Sequence, residues 1–230
     1  MIALAQLIPH AAFRNPHSCK IHLLLQLFVM TTLLWIAFAF FCGSLPLSVW
    51  LGKAALRKDI RQFGDANPGA ANVFRAGSKG WGWVAILLDI FKGAVPVGLA
   101  NFGAGITDWP LAVIAVAPIA GHAFSPFLRF KGGKAIAVSL GIWCGLTLYQ
   151  VPLVLGLILG SYIMLLTNNG WATVLGFASL IVYLLIITAP LWMLGVWLGN
   201  LIIVVWKHRA DLRQPTTLRP WVKRLLHSTP

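Results

Sequence analysis

The sequence predicts an all-α integral membrane protein, a seven-span helical bundle with its N-terminus outside and its C-terminus in the cytoplasm. Three observations predict it. Of the 230 residues, 59% are hydrophobic and only 10% are charged, with a mean hydropathy of +0.82, against roughly 25% charged residues in soluble globular domains; a water-soluble enzyme is excluded. The apolar residues gather into runs near the roughly 20 residues that a helix needs to cross a bilayer. The charges are lopsided and blocked: 18 Lys and Arg face 5 acids, all of them Asp, for a net +13. Such a charge could serve nucleic acid, but not beside 11 Trp, 13 Phe and apolar runs of this length. The expected partners are therefore anionic lipid surfaces and small anionic substrates.

The elements follow in order. Residues 21–51 are uncharged between Lys20 and Lys53 and form the first span. Residues 52–80, rich in Gly, Asn and charge, are the one extended polar segment inside the chain. The second span is 81–100, interrupted by Asp89 and Lys92; the third is 110–128, carrying His122 and ending at the basic loop RFKGGK. Residues 135–150 and 151–167 read as two spans joined near Gln150, Val151 and Pro152. After the turn TNNG, the run 171–206 is too long for one crossing and suits two short ones turning near Thr188, Ala189 and Pro190.

Charge decides the parity. Six cations fall in 53–79, three in 129–134 and six in 207–224, while the loops 101–109, 149–152 and 188–191 hold none. Seven spans with the N-terminus outside put all fifteen in the cytoplasm, as the positive-inside rule requires. Residues 1–29 stand apart as an N-terminal extension, because Arg14 and Lys20 would lie outside; Met30 offers a start that leaves a compact span 30–51. Residues 207–230 read as a basic cytoplasmic tail. Cys19, Cys42 and Cys144 show no pairing pattern and are expected as buried free thiols, and His10, His17 and His22 as surface histidines, with no metal site.

The residues suited to chemistry lie on the inferred cytoplasmic side. Gly43, Ser44 and Pro46 break the inner part of span 1, where a hydroxyl can line a polar cavity. From Gly64 to Gly77, the glycines Gly64 and Gly69 allow close backbone approach, Asn67 and Asn72 offer amides, and Arg61 and Arg75 bracket them; Lys53 lies just upstream. That mixture suits phosphate oxygens. Asp89 and Lys92, three apart on one helix face, are either an internal ion pair or a substrate contact. His122, beside Gly121, sits nine residues before Lys131, and the loop FKGGK adds Lys134 and a flexible Gly-Gly pair. Together they describe a cationic site with almost no competing carboxylate, whose ligand should be multiply anionic. No carboxylate is placed to orient His122 and no nucleophile triad or metal set is visible, so an enzyme of this kind would act on an activated substrate by positioning and charge neutralisation.

GSLPLSVWLGK, DIRxxGDANPGAANVFRAG, DIFKG and GHAFSPFLRFKGGKA resemble, in order and spacing, the motifs of the bacterial acyl-phosphate:glycerol-3-phosphate acyltransferase family, and the tail KHRADL is similar to its RHREN-type segment. The resemblance runs from about Met30 to Leu212 and makes 30–206 a membrane acyltransferase domain. It implies a multi-pass enzyme of the bacterial inner membrane, with its active site facing the cytoplasm and no cofactor. The implied reaction transfers a fatty acyl group from acyl phosphate to the 1-hydroxyl of sn-glycerol 3-phosphate, giving lysophosphatidate and phosphate for phospholipid biosynthesis. The resemblance places Ser44, Arg61, His122, Lys131 and Lys134 in catalysis at the phosphates, and Gly64, Asn67, Gly69, Asn72 and Arg75 around glycerol 3-phosphate.

The sequence departs from the family's usual pattern in the second motif, normally GSGNxGATN, where Asp65, Ala66, Pro68 and Ala71 stand instead. Ala135 and Val138 replace Gly and Thr in the third, and Ala210 replaces Glu in the tail. These changes bear on acceptor identity. Two other readings stay open: a divergent paralogue that acylates another phosphorylated acceptor or is inactive, and a membrane transporter or binder of phosphorylated anions.

Overall fold

A computed structural model describes residues 16–227, with side chains for 19–225. Residues 1–15 of the extension, with His10, lie outside the described residues, as does the side chain of His17. The α-helices among the described residues are α1 Pro16–Ser44, α2 Leu47–Leu56, α3 Ala70–Arg75, α4 Lys79–Gly98, α5 Asp108–Ala123, α6 Ile136–Thr147, α7 Gln150–Leu165, α8 Asn169–Ile186, α9 Leu191–Leu212 and α10 Pro220–His227.

Among the described residues five segments are long and apolar enough to cross a membrane: Cys19–Leu56, Lys79–Gly103, Asp108–Leu128, Asn169–Ile186 and Leu191–Leu212. α6 and α7 are equally apolar but only 12 and 16 residues long. Large apolar side chains cover the outside, among them Leu157, Ile186 and Leu191, each more than 70% exposed. An apolar exterior on this scale matches lipid rather than water.

Where the sequence suggested one span over 21–51, the chain breaks in two. Pro46 has no N–H to continue the hydrogen-bond ladder, so α1 stops at Ser44 and α2 sets off separately. α1 packs chiefly on α5, whereas α2 packs on α4. The other predicted breaks hold within a few residues. α6 ends at Leu148, whose φ is 56°, and α8 ends before Thr188, whose φ is 50°. The proposed domain edges at 29/30 and 206/207 both fall inside helices, α1 and α9.

α5 lies at the centre, against α1, α4, α6 and α9. Lipid offers no hydrophobic drive between helices, so close packing of small residues must hold them together. A Cβ at Gly43 would overlap the backbone of Pro118, and one at Gly141 the backbone of Ile90. Buried polar ties add direction. Asn200 donates to Ser139 Oγ at 2.7 Å, joining α9 to α6, and Asn101 donates to the carbonyls of Gly145 and Leu146, closing the C-terminal end of α6. Trp197 donates to Phe177 O at 2.8 Å between α9 and α8. Cys42 and Cys144 are half-buried and free; Cys19 is exposed rather than buried, because α1 is exposed on every side over 19–31.

Candidate active site

The functional side chains collect where the α1–α2 break, the 57–78 segment, the end of α5, the 124–135 loop and the end of α9 meet. Asp89 and Lys92 anchor this end. They form an ion pair at 2.8 Å with both side chains under 5% exposed. Asp89 also accepts from Ser48 of α2 at 2.9 Å, and Lys92 donates to Leu45 O at 3.1 Å. Of the two sequence readings the internal ion pair is the one present: it fastens α4 to the Leu45 carbonyl at the break between α1 and α2. Ser44 turns its hydroxyl back to Phe40 O at 2.7 Å, while its own carbonyl accepts from Ser125 at 2.6 Å.

The two glycines of FKGGK have a packing reason rather than a flexibility reason. A Cβ at Gly132 would overlap the carbonyl of His122, and a Cβ at Gly133 would overlap its ring at Nε2. The Gly133 N–H donates to His122 O at 3.0 Å. Among the described residues nothing hydrogen-bonds the His122 ring, although His122 is only 8% exposed. Asp89 shares the cavity that His122 lines, but its carboxylate is engaged by Lys92 and Ser48. Lys207 then locks the loop to α9, donating to Ala123 O at 3.0 Å and Gly132 O at 2.8 Å.

The 64–77 loop is organised by its own polar groups. Asn72 is fully buried; its amide donates to Asn67 O at 2.8 Å and accepts from Arg75 at 2.8 Å. Gly64 has φ 58°, and a side chain there would run into Arg75 and Asn72. Gly69 starts α3, its clearance filled by the Asn67 amide. Asn72, Gly64 and Arg75 therefore build the loop, while Asn67 and Gly69 are the predicted site residues of this segment that line cavities.

Carboxylates are more prominent than the sequence suggested. Lys134 is gripped by Asp211 at 2.7 Å and Asp65 at 2.9 Å, and Arg75 reaches Asp65 at 3.3 Å. The expectation of a site almost free of competing carboxylate is corrected, because the fold brings acids from distant segments onto its cations. Burial alone would raise the Asp65 carboxyl, but Lys134 and Arg75 outweigh it and hold it below its ordinary value. Burial likewise opposes the charge on Lys134, and its two carboxylates win, raising it. Arg61 pairs with Asp59 at 2.6 Å on the surface, and that contact draws Asp59 down to about 2. Neither Arg61 nor Lys53 lines a cavity at this end.

Two cavities meet here. The first, of about 520 Å³, is lined by Lys131, Lys134, Lys207, Arg209 and Arg213, with Asp65 as its acid. The second, of about 340 Å³, runs between α3, α4 and α6 along Phe74, Ile86, Ile136 and Leu140, with His122 and Asp89 at its polar end. Asn67 and Lys134 belong to both. A third cavity of about 10 Å³ joins Ser44, Lys92 and His122 and suits a single water. The arrangement offers a cationic chamber opening beside an apolar groove, the two surfaces that a phosphorylated polar molecule and a fatty chain need. Sequence reasoning missed Lys207, Arg209, Arg213 and Asp211 as part of it. Their signal was the KHRADL run with the Arg213 that follows it, legible as site once α9 is continued past 206 as a helix.

The chain matches known proteins along most of its length. The family described as "Glycerol-3-phosphate acyltransferase" matches residues 33–216. The chain is 35% identical over 170 residues to "Glycerol-3-phosphate acyltransferase 1" of Thermotoga maritima, covering 68% of this chain and 84% of that protein. It is 35% identical over 208 residues to "Glycerol-3-phosphate acyltransferase" of Desulfovibrio desulfuricans, covering 84% and 86%. Its fold is similar to the crystal structure of PlsY (YgiH), an integral membrane glycerol 3-phosphate acyltransferase, in its glycerol 3-phosphate form, with a TM-score of 0.71 and 28% identity over 86% of this chain and 92% of that one. The lysophosphatidic acid form of the same protein gives a TM-score of 0.70.

Proposed function

This chain belongs to the glycerol-3-phosphate acyltransferase family, and from that premise we propose how its two cavities divide the reaction. The enzyme acylates glycerol 3-phosphate in phospholipid synthesis. The donor is acyl phosphate, with its chain in the apolar groove and its phosphate at the junction near Asn67 and Lys134. Glycerol 3-phosphate occupies the cationic chamber. The observation that carries this division is the junction itself, since Asn67 and Lys134 line both cavities.

The chemistry fits the residues. The 1-hydroxyl oxygen of the acceptor attacks the acyl carbon, the bond from that carbon to the phosphate oxygen breaks, and phosphate leaves with the electron pair. Lys131, Lys134, Arg209 and Arg213 offset the repulsion between two anionic substrates and the charge on the departing phosphate. A substrate phosphate takes the hydroxyl proton, and His122, with its ring free of protein partners, orients the reacting end of the donor. In the same scheme Ser44 acts through the small cavity that it shares with His122, whereas Arg61, held by Asp59 outside the cavities, contributes only its long-range positive field.

In the membrane, α1, α4, α5, α6, α7, α8 and α9 make seven crossings, with the fifteen clustered cations and the active site on the cytoplasmic side of the inner membrane. The short α6 and α7 cross where the bilayer thins locally. Residues 30–206 carry the transferase, joined by the start of the tail through Lys207, Arg209 and Arg213.

Purified protein given palmitoyl phosphate and glycerol 3-phosphate is expected to release phosphate and form lysophosphatidate; no turnover removes the reading. Single cysteines in 101–109 and in 129–134 are expected to react with an impermeant maleimide from opposite sides, and same-side labelling sinks the topology.

A further inference from the structure

The departure of position 65 from the family's usual Ser puts a carboxylate inside a chamber whose other charged residues are all cations. A carboxylate repels phosphate, so its presence there calls for a different partner. Its two oxygens offer about four acceptor positions in all. On Oδ1, the backbone N–H of Asn67 and the guanidinium of Arg75 both donate at 3.3 Å. On Oδ2, Lys134 donates at 2.9 Å. One position on Oδ2 is left, on a side chain that is 38% exposed and part of the chamber wall. Asp211, the other carboxylate on Lys134, is not among the residues lining the chamber.

We propose that Asp65 is a specificity-determining residue of the acceptor site: its remaining Oδ2 position accepts a hydrogen bond from the acceptor's secondary 2-hydroxyl, so the chamber takes a polyol monophosphate and disfavours the 2-ketone counterpart, which keeps only the primary hydroxyl. The inference rests on the acyltransferase reading for the identity of the chamber. Lys131, Arg209 and Arg213, all exposed within the chamber, receive the phosphate. Asp65 receives the hydroxyl, and Asn67, two residues on, stands at the opening to the apolar groove. A ketone presents lone pairs where the carboxylate needs a proton, leaving both sides unpaired. A fully buried site rejects such an analogue by several orders of magnitude; with Asp65 partly exposed the expected preference is about 10- to 100-fold.

The test is equilibrium binding of sn-glycerol 3-phosphate and of dihydroxyacetone phosphate to the full chain in nanodiscs, read by calorimetry. The wild type is expected to prefer the glycerol compound. Asp65→Ser is expected to shrink that preference at least tenfold, and Asp65→Asn, of the same shape, to move it in the same direction. Asp211→Asn, which loosens Lys134 without altering the chamber wall, is expected to keep it. The proposal is overturned if the wild type shows no preference or binds neither compound. It is also overturned if the Asp65 variants weaken both ligands equally, or if Asp211→Asn erases the preference as fully. Because binding is read without turnover, a wild type that discriminates but does not transfer acyl groups would remove the transferase reading alone.

Discussion

His122 and Gly133 occupy each other's clearance: a Cβ on Gly133 would overlap Nε2 of the His122 ring, while the Gly133 N–H donates to the His122 carbonyl at 3.0 Å. The loop that carries Lys131 and Lys134 is thus set directly by the ring beneath it. Prediction: Gly133→Ala costs on the order of 10²-fold in kcat, because the ring or the loop must shift by about an ångström. His122→Asn leaves room for the glycine and costs less than Gly133→Ala. Steady-state rates with palmitoyl phosphate check the ranking; a total loss in His122→Asn with intact substrate binding would make His122 the base and overturn the substrate-assisted route.

The Asp89–Lys92 pair predicts an asymmetric response. Removing one partner, as in Asp89→Asn or Lys92→Met, leaves a buried charge alone and should destabilise by about 3–5 kcal/mol. Replacing both at once with Asp89→Leu and Lys92→Met should cost less than either single change. Thermal unfolding in detergent checks this, and additive losses would contradict it.

The grip on Lys134 predicts a pH window. Asp65 has a depressed carboxyl, so its contribution is present above its ordinary value of 3.8 and is lost as pH falls through the lower folded value. Lys134 is raised above 10.5, so its contribution is complete below that value and is lost as pH rises through the folded one. The contact of the 64–69 loop with α9 should therefore persist from about pH 4 to pH 10. Lys134→Met should flatten both limbs of an unfolding-midpoint titration; unchanged limbs would show that other groups set them.

Arg61 and Lys131 should part company. Arg61 is 43% exposed, bound to Asp59 and outside both cavities, and exposed pairs contribute about 0–1 kcal/mol. Arg61→Ala is expected to change kcat/KM less than Lys131→Ala, for which a loss of about 10²-fold is expected. Equal losses would mean that Arg61 swings into the chamber when substrate binds.

The helical class and six of the helix breaks or loops were legible because apolar runs and Pro, Gly and Asn signals act locally. The α1–α2 break was signalled by Pro46 but masked by the unbroken hydropathy of 21–51. His122, Asn67 and Lys134 were legible as site residues by type. Their neighbours were not: Asp211 meets Lys134 across 77 residues, and no local pattern shows which acid will fall on which cation. The glycine pair at Gly132 and Gly133 was read as flexibility because its neighbour, the backbone and ring of His122, comes from another element.

Lys207, from the last of the long apolar helices, closes on Ala123 and Gly132. A ribosome releases the chain from its N-terminus, so every earlier helix can enter the bilayer before this fastening exists. The 129–134 loop is consequently among the last features to be fastened, and a chain halted before α9 is inserted lacks the contact that holds Lys131 and Lys134 against the end of α5.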